Sequence, residues 1–263
     1  MAEGLRVDRH GNVVVVTLDR QDRMNALSQE IHDGLLETWT SLRGDRSTRA
    51  IVITAAGERA FCTGMDLKAF AERGGPRPVK DDVHEELQVT PMHCDVWLPT
   101  IVAVNGVCTG AGLHFVADAD VVLAASDAQF LDPHVSVGQV SAYEVIGLAR
   151  KIPFEAVMRM ALLGRHERID AARAHALGMV SQVVDPPEAL RGEAQTLAET
   201  IAQNSPAAMA ATKRALWGAL EAGLTDACKA GTTELTAMWG HPDQEEGPRA
   251  FAEKRAPRWE PLA

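Results

Sequence analysis

The chain has 263 residues, 46% hydrophobic and 24% charged, and its 36 acidic against 26 basic side chains give a formal net charge of −10. That length suits one α/β domain with an appended helical piece, and a core of this size folds without disulfides or a structural metal. So acidic a balance lacks the footprint of a nucleic-acid-binding module, although a few local Lys and Arg still suffice to gather an anionic ligand.

Residues 1–6 (Met-Ala-Glu-Gly-Leu-Arg) place no apolar run ahead of their charges, so no secretory leader is expected. The run Val-Val-Val-Val-Thr-Leu at 13–18 reads as a buried strand. Ser28 is a candidate N-cap for a helix whose Ile31, Leu35, Leu36, Trp39 and Leu42 recur at helical spacing. Further strands are expected at 50–54, 100–104, 120–124 and 180–184, with helices over 83–96 and 144–151. Residues 72–82, with Gly74-Gly75-Pro76-Arg77-Pro78, read as a loop where a lid could sit.

Past residue 184 the pattern turns wholly helical, over 193–204, from Ser205-Pro206 onward, over 224–238 and over 244–255. No segment approaches eighteen uninterrupted apolar residues, so no transmembrane helix is expected. Cys62, Cys94, Cys108 and Cys228 form no CxxC pair and read as free thiols of a reducing compartment.

Two glycine turns carry the chemistry. The first is Ala60-Phe61-Cys62-Thr63-Gly64-Met65-Asp66-Leu67-Lys68; the second is Val104-Asn105-Gly106-Val107-Cys108-Thr109-Gly110-Ala111-Gly112-Leu113-His114. Each runs from strand to turn to helix, which aims backbone N–H groups at a ligand. Alone, each could be merely a tight turn. Neither matches GxGxxG or GxxxxGK[ST], and the GxSxG and HExxH signatures are absent, His84-Glu85-Glu86 lacking the second histidine.

Together, and in this order, the two turns resemble the paired signatures of the crotonase (enoyl-CoA hydratase/isomerase) superfamily. The likeness extends to Met24-Asn25-Ala26-Leu27, to Ala176-Leu177-Gly178-Met179-Val180 and to Phe251-Ala252-Glu253-Lys254-Arg255. It implies an α/β fold, a spiral of ββα units over residues 1–190, with a C-terminal helical trimerisation region over 191–263. It also implies a cytoplasmic homotrimer or dimer of trimers acting on an acyl-CoA thioester through an enolate. Coenzyme A enters as part of the substrate, and no separate cofactor, metal, nucleic acid or membrane is implied. The oxyanion hole would be the backbone N–H groups of Met65 and Ala111, the latter standing where the family usually has Gly. Asp66, Leu67, Lys68, Phe251 and Lys254 match positions near coenzyme A.

One departure bears on mechanism. Hydratases of this family use two glutamates; His114 and His134 occupy the matching positions here. Three readings stay open. The histidines are the acid/base pair, since imidazole titrates near neutrality. Alternatively, a displaced group acts, with Asp132, Tyr143 and Glu144 as candidates. Glu144 is preferred, on the expectation that an apolar pocket raises its pKa. The third reading is a silent acyl-CoA-binding or carrier protein. A metal on His114 and His134 is not expected, because no third ligand is evident and neither His84 nor His93 is placed near them.

Overall fold

The computed structural model describes residues 2–66 and 89–262. Two sheets organise it. Strands β1 (Leu5–His10), β2 (Val13–Leu18), β3 (Ala50–Ala55), β5 (Thr100–Val104), β7 (Val121–Ala125) and β10 (Gln182–Val184) form the larger sheet, in the order β1-β2-β3-β5-β7-β10. Strands β4 (Ala60–Cys62), β6 (Val107–Thr109), β8 (Gln129–Leu131) and β9 (Ile169–Asp170) form the smaller one, in that order. From β3 to β8 the chain thus alternates between sheets.

The larger sheet is parallel except for the β1–β2 hairpin. Its middle strands are buried along their length, which is why they read as unbroken β-branched runs. In the smaller sheet β4, β6 and β8 pair in parallel, and β9 closes the edge antiparallel. The β4–β6 pairing is irregular: Ala60 stands opposite Val107 and Cys62 opposite Cys108, so β4 carries an extra residue, a β-bulge.

Helix α1 (Gln29–Arg43) starts where the sequence places it, with the Ser28 hydroxyl accepting from the Ile31 N–H. It buries Ile31, Leu35, Trp39 and Leu42, and the Trp39 indole donates to the Val89 carbonyl at 3.0 Å. α2 (Gly112–Asp118) and α3 (Tyr143–Leu148) are short and pack together; a Cβ on Gly147 would come within 2.9 Å of the Ala117 Cβ. α4 (Phe154–Leu163) and α5 (Ala171–Ala176) follow. α6 (Leu190–Ile201) lies on β3, β5 and β7, burying Leu190, Ala194 and Ala198. α7 (Pro206–Ala219), capped by Ser205, pairs with α8 (Leu224–Ala237), and α9 (Asp243–Ala252) ends the fold.

Residues 89–96 differ from the expected helix. They contain one 3₁₀ turn, Met92–Cys94, closed by Asp95 at φ +57°. Pro91 explains this, since it supplies no N–H and disfavours helical backbone at the residue before it. The earlier part of that expected helix, and the 72–82 loop, lie outside the described residues.

The Met24–Leu27 segment has a definite structural task. Met24 and Asn25 both adopt left-handed backbone, at φ +53° and +55°. The Asn25 side chain, 1% exposed, accepts from the Arg20 N–H and donates to the carbonyls of Ala56 and Ala60 at 3.0 and 2.8 Å. Replacing Asn25 with Ala strands these buried groups and puts a less tolerant residue at positive φ. We expect a loss of about 1–3 kcal/mol, read as a lower urea midpoint at unchanged m-value.

Candidate functional site

Ligand sites in parallel sheets gather beyond the carboxyl ends of the strands. Here β4, β6 and β8 are adjacent, so the segments that follow them converge: Gly64-Met65 after β4, Gly110-Ala111 after β6, and Asp132-Pro133-His134 after β8. A Cβ on Gly64 would meet the Ala111 nitrogen at 3.2 Å and the Thr109 carbonyl at 3.3 Å. From the Gly110 side, the His134 Cε1 is 3.9 Å from where a Cβ would stand. The glycines, at φ +86° and +55°, are what lets these backbones approach.

The direction of the Met65 N–H follows from its neighbours. Leu27 donates its N–H to the Gly64 carbonyl at 2.8 Å and accepts from the Asp66 N–H at 3.1 Å, a one-residue parallel bridge. Backbone polar groups alternate sides along extended chain, so Met65, between these two, aims its N–H away from Leu27. Ala111 is the N-cap residue of α2, at φ −56°, and its carbonyl accepts from the His114 N–H at 3.3 Å. Among the described residues, the Met65 and Ala111 N–H groups are both outside the bonds that hold these turns together.

Behind the turns lies an enclosed acid/base cluster. α2 carries His114, 2% exposed, and α3 carries Glu144, 6% exposed. The His114 Nε2 stands 3.2 Å from Glu144 Oε1, and the His134 Nε2 approaches that same oxygen at 3.7 Å. His134 is oriented by Asp132, whose Oδ1 accepts its backbone N–H at 3.1 Å and contacts its Nδ1 at 2.5 Å. The Tyr143 ring is 6.5 Å, centroid to centroid, from that of His114.

The charges settle accordingly. The Asp132 bond is the largest influence on His134; against the effect of burial, and with the Glu144 charge assisting, it raises the imidazole above its ordinary value. Burial pushes the Asp132 carboxyl up, yet its bonds, the His134 side chain foremost, leave it below the carboxylate norm. Glu144 corrects the expectation of a raised pKa. Its burial does act upward, but the bond from His114 and the charges of His114 and His134 outweigh it and hold the carboxyl low. Cys62, beside the first turn, is pushed up to about 12 by burial and is no thiolate nucleophile.

The structure thus gathers Met65, Ala111, His114, His134 and Glu144, together with Asp132 and Tyr143. Asp66 follows the first turn, and its carboxylate is engaged by Arg20 at 2.8 Å. Leu67 and Lys68 lie outside the described residues. Phe251, 88% exposed, and Lys254, at φ +54°, stand at the surface end of α9. Sequence reasoning left His93 remote from the site, and the structure corrects this. Its ring is 5.8 Å from that of His114, edge to face, and its Nε2 is 3.4 Å from Asp118 Oδ2. The missed signal was the i, i+4 spacing of His114 and Asp118 on one helix face.

The chain and its fold are similar to those of known proteins. A family model described as enoyl-CoA hydratase/isomerase matches residues 8–261. The chain is 35% identical over 262 residues to an (E)-benzylidenesuccinyl-CoA hydratase of Thauera aromatica, covering 96% of each. It is 33% identical over 264 residues to a carnitinyl-CoA dehydratase of Proteus mirabilis, covering 98% of this chain and 99% of that protein. The structure matches that of an enoyl-CoA hydratase/isomerase from Mycobacterium paratuberculosis at TM-score 0.91 and 34% identity, with 99% of both chains covered. It matches that of an enoyl-CoA hydratase from Bacillus anthracis at TM-score 0.88 and 29% identity, over 98% of this chain and 99% of that one.

Proposed function

The chain belongs to the enoyl-CoA hydratase/isomerase family and has its crotonase fold, and from that premise we propose that it catalyses the reversible addition of water to a 2-enoyl-CoA thioester. The observation that carries this is the meeting of the Gly64-Met65 and Gly110-Ala111 turns with a buried imidazole–carboxylate cluster at the ends of three neighbouring strands. Hydratase and dehydratase relatives support the reaction class.

In this reading the thioester oxygen sits against the N–H groups of Met65 and Ala111. As hydroxide character adds to the β-carbon, negative charge collects on that oxygen, and each fixed donor lowers the barrier by about 3 kcal/mol. Glu144, ionised at neutral pH and steadied by His114, takes a proton from the attacking water. His134, its proton retained by Asp132, delivers one to the α-carbon. The 3.7 Å approach of Glu144 and His134 then lets the proton return, restoring both groups. The two histidines and one glutamate do what the two family glutamates do elsewhere. Asp66, Leu67 and Lys68 after the first turn, and Phe251 at the end of α9 with Lys254 just beyond it, serve coenzyme A in this reading.

The exposed apolar side chains of the C-terminal helices, Leu224, Leu235, Trp239 and Phe251, suit a helical region over 191–263 that joins subunits into a trimer or a dimer of trimers. Cys62, Cys94, Cys108 and Cys228 are all free, as in a reducing cytoplasm. Among the described residues no helix is long and apolar enough to cross a membrane.

The test is incubation with a panel of 2-enoyl-CoA thioesters, followed by loss of the conjugated chromophore and gain of one water by mass. Tight binding with neither hydration nor solvent deuterium uptake would sink the proposal in favour of a silent acyl-CoA-binding protein. The pH profile adds a second check. With His134 as the acid, activity falls on the alkaline side at a pH above the ordinary imidazole value. Changing Asp132 to Asn removes the interaction that raises His134, so that limb moves to lower pH while the affinity for substrate stays close to the original.

A further inference from the structure

We propose that His93, His114 and Asp118 form a binding site for one divalent transition-metal ion of the Zn²⁺ or Co²⁺ kind, set against the acid/base cluster on the His114 side. His114 and Asp118 project from the same face of α2, one turn apart, and the Met92–Cys94 turn brings His93 to them. One donor atom from each lies within 4.8 Å of the other two, a spread that small side-chain rotations close around an ion bonded at about 2.0–2.1 Å.

The separations favour convergence on a shared ion. His93 Nε2 and Asp118 Oδ2 stand 3.4 Å apart, beyond the usual 2.7–3.2 Å of an N–H···O bond. Two ligands at about 2.0–2.1 Å from a tetrahedral ion stand roughly 3.4 Å apart. The two imidazoles meet edge to face, at 75°, so that they converge without stacking.

The surroundings resemble the outer layer of a metal site. Imidazoles that bind metal ordinarily give their second nitrogen to a carboxylate, and ligating carboxylates are themselves hydrogen-bonded. His114 Nε2 faces Glu144 at 3.2 Å, and the Thr90 hydroxyl donates to Asp118 Oδ2 at 2.8 Å. Two imidazoles and one carboxylate suit zinc, cobalt or iron better than calcium or magnesium, which prefer all-oxygen shells. Such a ligand set leaves coordination positions open to water or substrate. An ion here would fix the tautomer of His114 and so the orientation of Glu144.

The readout is metal content, so the result does not depend on whether the hydration reading holds. Chelator-treated full-length protein is titrated with Co²⁺, followed by calorimetry and by ligand-field absorption. One Co²⁺ per chain is expected, displaceable by Zn²⁺. His93→Ala and Asp118→Asn should each weaken binding by roughly 100-fold or more, and His134→Ala should leave it unchanged. Far-UV circular dichroism verifies the fold, and His93→Gln replaces His93→Ala if the latter does not fold. Absence of stoichiometric binding overturns the proposal. So does binding that survives the changes at both His93 and Asp118, which would put the ion elsewhere.

Discussion

Hydration of a 2-enoyl-CoA by the Glu144→Gln variant should fall by about 10²–10⁴-fold in kcat, with KM nearly unchanged. Gln matches Glu in shape and can still accept from His114, so the buried environment of α2 and α3 survives. The loss is that of a base, not of a fold. Steady-state kinetics on the substrate established for the parent protein measures it, with circular dichroism as a control. A Glu144→Gln variant that retains most of its kcat would remove Glu144 from the mechanism. The proton acceptor would then be His114 or His134 alone, the first of the readings that the sequence leaves open.

The second large effect is expected at Gly64. A methyl there would press on the Ala111 nitrogen and the Thr109 carbonyl at 3.2 and 3.3 Å, on a residue at φ +86°. In the proposed reading both consequences act on the oxyanion hole, by prising its two donors apart and by twisting the Met65 N–H. Gly64→Ala should therefore cost about 10²–10³-fold in kcat, the loss seen when one such donor fails. Gly138 provides the control, for it has positive φ, +73°, but nothing within 4 Å of a Cβ. Gly138→Ala should bring only the left-handed penalty of about 1–2 kcal/mol in stability, with activity retained below the unfolding range. Equal activity losses in both variants would show backbone strain, and not crowding of the donors, to be the cause.

Much of this molecule is legible in its sequence, and what is not has identifiable causes. Strands β2, β3, β5 and β7 announce themselves because burial on both faces demands runs such as 13–18 and 100–104, and α1 because Ser28 caps a regular apolar stripe, whereas β1, largely exposed, carries no such run and escapes the sequence. The strands of the smaller sheet are two or three residues long, too short for any periodicity, so the element that assembles the site is the one no pattern reveals. Resemblance of the glycine turns supplied what periodicity could not. The direction of the Glu144 shift is not legible because burial shows in the local sequence, whereas two imidazoles arriving from β8 and α2 do not. His93 escaped for a similar reason. Its approach to His114 depends on the 3₁₀ turn at Met92–Cys94, where the sequence suggested a continuous helix.

The extra residue in β4 acts as a spacer that times the two turns. Beyond the bulge Cys62 faces Cys108, so counting forward in step sets Thr63 beside Thr109, Gly64 beside Gly110 and Met65 beside Ala111. Had Ala60 opposite Val107 set the count instead, Gly64 would draw level with Ala111 and Met65 with Gly112, one place out of phase. Glycine would then meet a methyl, and the two donors would no longer stand side by side. Alignment of the proposed oxyanion hole is thus inherited from a miscount three residues upstream, within β4. Phe61 absorbs the difference: with it left over in β4, Cys62 meets Cys108 and the two turns run in step, so the irregularity is the vernier on which the two halves of the site are set.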